Sequence, residues 1–126
     1  MKVRGIRGAV TVKENSAAEI VAETEKLLRQ MASANQFSID DIASVIFSVT
    51  HDLNKEFPAT AARNIGWGAV PLLCTNEINV PGSLPKCIRV LIHINTERAQ
   101  SDIKHVYLGE ARKLRPDIKT VEEEYR

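Results

Sequence analysis

The chain has 126 residues, enough for one domain that buries roughly two-thirds of its unfolded surface and needs no staples to hold a core. Its 17 Lys plus Arg against 16 Asp plus Glu leave a formal net charge of +1, and aromatic residues make up 5%. That balance provides no field to gather nucleic acid or an anionic membrane, and few rings on which single strands could stack.

Residues 2–12 alternate loosely and read as a first strand, with Arg4, Ile6, Val10 and Val12 on one side and Val3, Arg7, Ala9 and Thr11 on the other. Gly5 and Gly8 flank Arg7. Strand glycines mark bulges or close approach, so Arg7 is expected in a stretch cleared of side chains. "SAAE" at 16–19 has capping-box spacing, and Ile20, Val21, Leu27, Leu28 and Met31 then recur on one face, predicting an amphipathic helix that ends near Asn35. "SIDD" at 38–41 opens a single helical turn, and residues 43–50, "ASVIFSVT", are β-branched and aromatic enough for a second strand. In "FPATAARNIGW", Pro58 suits a first helical position and Gly66 a stop, giving a two-turn helix. Residues 69–74 form the expected third strand, "NVPGSLP" a loop, and residues 87–95 the fourth strand. A helical turn at 102–107 and a short strand at 110–114 follow. The charged tail "DIKTVEEEYR" is expected to be mobile unless a partner orders it. This order implies an α+β fold, a mixed sheet packed on one main helix.

The fourth strand poses the central question. Ile88, Val90, Ile92 and Ile94 share one face, while Cys87, Arg89, Leu91 and His93 share the other. Arg89 is a permanent cation among apolar neighbours, a costly position unless something anionic meets it. Glu77 follows the third strand and stands close enough in the chain to lie beside Arg89. It is either a structural ion-pair partner or an acceptor for a substrate hydroxyl.

Familiar catalytic devices are missing. His51, His93 and His105 are far apart, and none pairs with Cys or a carboxylate at metal-ligand spacing, so no metal site is expected. Cys74 and Cys87 are not a CxxC pair, which reads as two reduced thiols in a cytosolic protein; Cys74 has no histidine placed to activate it and reads as a packing or hydrogen-bonding residue. "MKVRGIRGAVTV" lacks the apolar core of a signal peptide, and nothing approaches the ~20 apolar residues of a membrane span. What stands out is arginine at structured positions: Arg7, Arg63, Arg89 and Arg115. Their planar forks suit carboxylates and phosphates, and several converging would hold a small dianion. Arginines with one glutamate and a tyrosine suit electrostatic stabilisation and conformational restraint more than proton transfer.

"VRGIRGAVTV", "FPATAAR", "GWGAVPLLC", "EINVPGSLPKCIRVLIH" and "HVYLGEARKLRPDI" closely resemble, in this order, the monofunctional chorismate mutases of the AroH class. The resemblance spans residues 3–118 and implies a single domain over 1–118, followed by a tail at 119–126. It implies a chorismate-mutase-like (ferredoxin-like) α+β fold assembled as a homotrimer with a pseudo-barrel core, its active sites between subunits. The implied reaction is the cofactor-free rearrangement of chorismate to prephenate in a cytoplasmic enzyme of phenylalanine and tyrosine biosynthesis. Catalytic roles would fall to Arg89 at the breaking ether bond, Arg7 with Tyr107 at a carboxylate, and Glu77 with Cys74 at the ring hydroxyl. Phe57, Ala59 and Arg63 would come from the neighbouring subunit, with Leu114 and Arg115 at the cleft mouth. Thr60 and Leu73 depart from the pattern, where family members can have lysine and threonine. Two alternatives stay open: a trimeric enamine/imine deaminase of similar fold, and a non-catalytic module that binds anionic metabolites.

Overall fold

The alternation at the start of the chain forms strand β1, Lys2–Thr11, whose Ile6 and Val10 are buried against helix α1, Ala17–Asn35. In this computed structural model, which describes residues 1–116, the chain continues through β2 (Ile42–Val49), α2 (Ala59–Asn64), β3 (Leu72–Asn76), β4 (Cys87–Thr96) and β5 (Val106–Leu108). The tail expected at 119–126 lies outside the described residues.

Five strands make one mixed sheet in the order β3-β2-β4-β1-β5. β4 runs antiparallel to both of its neighbours, while β3 and β5 join the edges in parallel. The sheet is therefore mixed and rests on one main helix, as the sequence implies. Ser16 caps α1 by accepting from the Glu19 N–H at 3.1 Å. The Glu19 carboxylate does not close back on Ser16; it accepts from the N–H groups of Lys13 and Glu14 and so tethers the link from β1. Gln36, left-handed at φ 50°, ends the helix.

The core lies between α1 and one face of the sheet. Ile20, Leu27, Leu28 and Met31 of α1 are fully buried with Phe47, Ile88 and Ile92. Burying each such side chain contributes about 1.5–3 kcal/mol before entropy is counted. The expected core face of β4 is observed, with Ile88, Val90, Ile92 and Ile94 at most 3% exposed.

Gly8 serves this packing rather than Arg7. A Cβ there would stand 2.4 Å from Met31 Sδ and 3.2 Å from Leu27 Cδ1, so the bare backbone lets α1 settle onto β1. Of the two glycines, only Gly5 lies on Arg7's side.

Two further expectations are corrected. The third strand begins at Leu72 rather than 69, because Trp67 to Val70 is a turn closed by a 3.1 Å bond from the Val70 N–H to the Trp67 carbonyl, and Pro71 has no N–H for the ladder. At the end of the described chain, strand and helix exchange places. Val106, Tyr107 and Leu108 are β5, paired in parallel with Gly8, Ala9 and Val10, and residues Gly109–Leu114 form a 3₁₀ helix instead of a strand. Three consecutive residues are all at most 4% exposed, which a strand covered on both faces allows and a single surface turn of helix does not. Gly109 makes the change of direction at φ +60°, where a Cβ would lie 2.9 Å from Thr11 Oγ1.

Gly8→Ala should lower stability by about 1–3 kcal/mol through overpacking. Urea unfolding midpoints read this, and pairing the change with Met31→Ala, which vacates the space, should cost less than the sum of the two single changes.

Candidate functional site

One rung of the ladder crosses the whole sheet. Thr75 lies opposite Ser48, Ser48 opposite Arg89, Arg89 opposite Ala9, and Ala9 opposite Tyr107. The side chains of this rung point away from α1. Ala9 is small, so it leaves room beside Arg89. Tyr107 packs with Ala9, Cys87 and Ala111 in a second small core on this face, under the 3₁₀ helix that carries Leu114. Between them lies a cleft of about 330 Å³, of a size that suits a small metabolite. Among the described residues its charged lining is three guanidiniums, Arg7, Arg89 and Arg115, and the Glu77 carboxylate. Such a lining favours a ligand with two negative charges.

Arg89 is held by its strand in the centre of this floor. Its Nε is buried and has no hydrogen-bond partner among the described residues. Glu77 Oε1 stands 3.7 Å away, close enough for attraction and too far for a hydrogen bond. That oxygen instead accepts from Ser48 Oγ at 2.6 Å. The Glu77 backbone is fixed as well: its N–H donates to the Val49 carbonyl at 2.9 Å, and its carbonyl lies 3.1 Å from His51 Nε2. The ion-pair reading of Glu77 is therefore partly right, yet the pair leaves a donor unsatisfied.

Cys87, next but one to Arg89, is pushed up to about 11, chiefly by burial, with Arg89 opposing and Glu77 and Asp52 adding to the rise. It stays a thiol and offers no nucleophile. At the other side of the cleft the Arg7 N–H donates to His105 Nδ1 at 2.9 Å, extending the β1–β5 contact. Burial and the Arg7 and Arg115 charges hold the His105 imidazole below its ordinary value, so Nδ1 remains an acceptor.

Arg7, Glu77, Arg89, Tyr107, Leu114 and Arg115 thus share one cleft. The other expected residues do not join them within the protomer. Cys74 lies opposite Phe47 in the ladder and packs towards the main core, on the reverse side of the sheet from Arg89. It borders a separate groove with Phe57, which is 66% exposed. Ala59 is buried in α2, and Arg63 is exposed there, its Nη2 donating to Thr60 Oγ1 at 3.2 Å. Ser48, which lines the cleft, and His105, which accepts from the Arg7 backbone beside it, are not marked by the sequence pattern. The pairing of Ser48 with Arg89 depends on the register of β2 on β4, which local pattern does not contain, and nothing local marks His105. No group of three or more His, Cys, Asp or Glu side chains among the described residues is placed to hold a metal ion. The arrangement can bind and compress a dianion and place positive charge on its reacting centre, and it lacks a base and nucleophile pair.

Comparison with known proteins gives the chain's family. The family model for chorismate mutase type I matches residues 3–118. The chorismate mutase AroH of Thermus thermophilus is 51% identical over 121 residues, covering 95% of this chain and 99% of that one. Its counterpart from Bacillus subtilis (strain 168) is 42% identical over 119 residues, covering 94% of each. A solved chorismate mutase from Clostridium thermocellum superposes with a TM-score of 0.86 at 60% identity, covering 86% of this chain and 97% of that one.

The lowered His105 value sets a pH dependence. The unfolded chain takes up this proton near pH 6.5 and the folded chain only lower, so stability is complete above that value and falls as acidification proceeds through the folded pKa. His105→Asn keeps an acceptor for the Arg7 N–H and does not titrate. Urea midpoints across pH 5 to 8 should show that the variant loses less stability than the parent below about pH 6.5.

Proposed function

This chain belongs to the type I chorismate mutase family, and we propose that its Arg89 cleft carries out the concerted Claisen rearrangement of chorismate to prephenate, on the route to phenylalanine and tyrosine. The Arg89 Nε, buried at the cleft floor without a hydrogen-bond partner among the described residues, carries this reading. The substrate is a dianion whose enolpyruvyl end must fold over its ring. Arg7 and Tyr107 hold one carboxylate, and Arg115, with Leu114 beside it, closes the mouth. This restraint removes freedom that the reaction would otherwise have to lose in reaching the transition state. As the ether bond breaks, a carbon–carbon bond forms at the far end of the same six-atom array. No proton and no covalent intermediate is needed. Negative charge grows on the ether oxygen, where Arg89 donates, so the interaction strengthens from ground state to transition state. Glu77 accepts from the ring hydroxyl.

The site is completed by a second protomer in a homotrimer. Several apolar side chains of the protomer face outward: Phe57, Leu73, Ile78 and Val80 are 55–80% exposed. The sheet face opposite α1 carries Ile46 and Leu91, both half-buried beside the cleft, and no α-helix among the described residues packs over them. Joining three such faces gives the pseudo-barrel core and brings Phe57, Ala59 and Arg63 of one protomer to the cleft of the next. Cys74 travels with that group, since it shares the Phe57 groove and not the Arg89 face. Thr60 in place of lysine leaves Arg63 as the cation α2 contributes. Its free thiols fit a cytoplasmic enzyme, and no described helix is long and apolar enough to cross a membrane.

Mixing the protein with chorismate should speed loss of the substrate's diene absorbance and appearance of prephenate; a rate equal to the spontaneous one refutes the assignment. Arg89→Ala should lower kcat by at least about 10²- to 10³-fold, or roughly 3–4 kcal/mol, while the far-ultraviolet spectrum is unchanged. Sedimentation equilibrium should give the mass of three 14.0 kDa chains, and a monomer at working concentration contradicts the shared site.

A further inference from the structure

We propose that Ser48 is a positioning residue that keeps Glu77 from closing onto Arg89, and so preserves the Arg89 Nε–H for the reacting oxygen. The inference rests on the role assigned to Arg89 above and adds the residue that makes that role available.

Ser48 and Arg89 face each other across β2 and β4 on the same side of the sheet. A carboxylate oxygen 3.7 Å from a guanidinium nitrogen, in a cleft partly shielded from water, is pulled towards it. A movement of about 1 Å would bring it to the ~2.7–2.9 Å of a charge-assisted bond. What competes with that movement is a hydrogen bond to the same oxygen. Ser48 Oγ donates to Glu77 Oε1 at 2.6 Å, itself within the range of a charge-assisted O–H···O bond. The Glu77 main chain is anchored to Val49 and His51, so the side chain swings from a fixed root, and Ser48 decides where it stops. The result is a carboxylate near enough to orient and stabilise the cation, yet not bonded to its Nε. If Glu77 closed, the substrate oxygen would have to displace a carboxylate before Arg89 could reach it.

The test uses two readouts on the full-length protein. Burial of Arg89 Nε slows exchange of its proton, so the Nε–Hε pair is accessible to ¹H–¹⁵N correlation spectra without ligand, assigned by its loss in Arg89→Lys. In Ser48→Ala, the Hε resonance should move downfield as the bond to Glu77 forms, and in Ser48→Thr, which keeps the hydroxyl, it should stay near its original position. In turnover of chorismate, Ser48→Ala should lower kcat by about 10-fold or more, the scale of a hydrogen bond to a charged group, with a smaller change in KM. Ser48→Thr should restore most of it. On a Glu77→Gln background, where no carboxylate charge is left to close on Arg89, Ser48→Ala should cause little further loss of kcat. An unmoved Hε resonance in Ser48→Ala overturns the proposal whatever kcat does, and so does an unchanged kcat. Failure of the parent protein to turn over chorismate would instead overturn the functional reading, and the resonance would still decide whether Ser48 holds Glu77 away.

Discussion

A strand in the middle of a sheet has two faces and no freedom to choose between them, and β4 uses that constraint to hold a cation still. Its isoleucines and valine are locked under α1, so the alternating positions, Arg89 among them, are turned to the opposite side with the full cooperativity of the core behind them. A one-residue slip of register would exchange Arg89 for Ile88 and is opposed by the whole hydrophobic face. The guanidinium therefore stands in place before any ligand arrives. Reorganisation that water would undergo around a developing charge has already been met by folding, which is the physical content of electrostatic preorganisation.

The neighbours of Arg89 are subordinate to that placement. Ala9 gives it space, Tyr107 walls the far side, and Glu77 balances part of its charge from 3.7 Å. The Arg89 side chain is 42% exposed, with its Nε buried; a carboxylate in full contact would occupy that donor, and one at a distance leaves it available. That distance is set through Ser48. The Gly8 approach of α1 and the His105 contact with the Arg7 backbone extend the same logic outward, fixing the strand that carries the second cation.

Much of this was legible in the sequence because it is written in short-range periodicity. The alternation of 87–95 gave the two faces of β4, the Ser16 cap and the apolar spacing gave α1, and the position of Glu77 after a strand placed it near Arg89. The order of helical turn and strand at 102–114 was not legible, since "VYL" is too short for a period and its strand character comes from pairing with β1. Gly8 was misassigned for a related reason: its role depends on Met31, far along the chain, and a strand glycine alone does not reveal which side is crowded. The separation of Cys74 from Glu77 follows from β3 running parallel to β2 in a register that puts Cys74 beside Phe47, a tertiary fact that local pattern does not contain. Family resemblance supplied the chemistry of the arginines, whereas the hydrogen bond of Ser48 to Glu77 emerges only from the assembled ladder.

The central claim is that Arg89 presents its Nε donor to the oxygen of the breaking bond. A crystal structure of the protein with a rigid bicyclic ether dicarboxylate, shaped like the folded transition state and unable to react, tests it directly. Arg89 Nε should lie about 2.7–3.1 Å from the bridging ether oxygen, with Glu77 still held by Ser48. An ether oxygen turned away from Arg89, or an Arg89 that bonds Glu77 in place of the ligand, would contradict it.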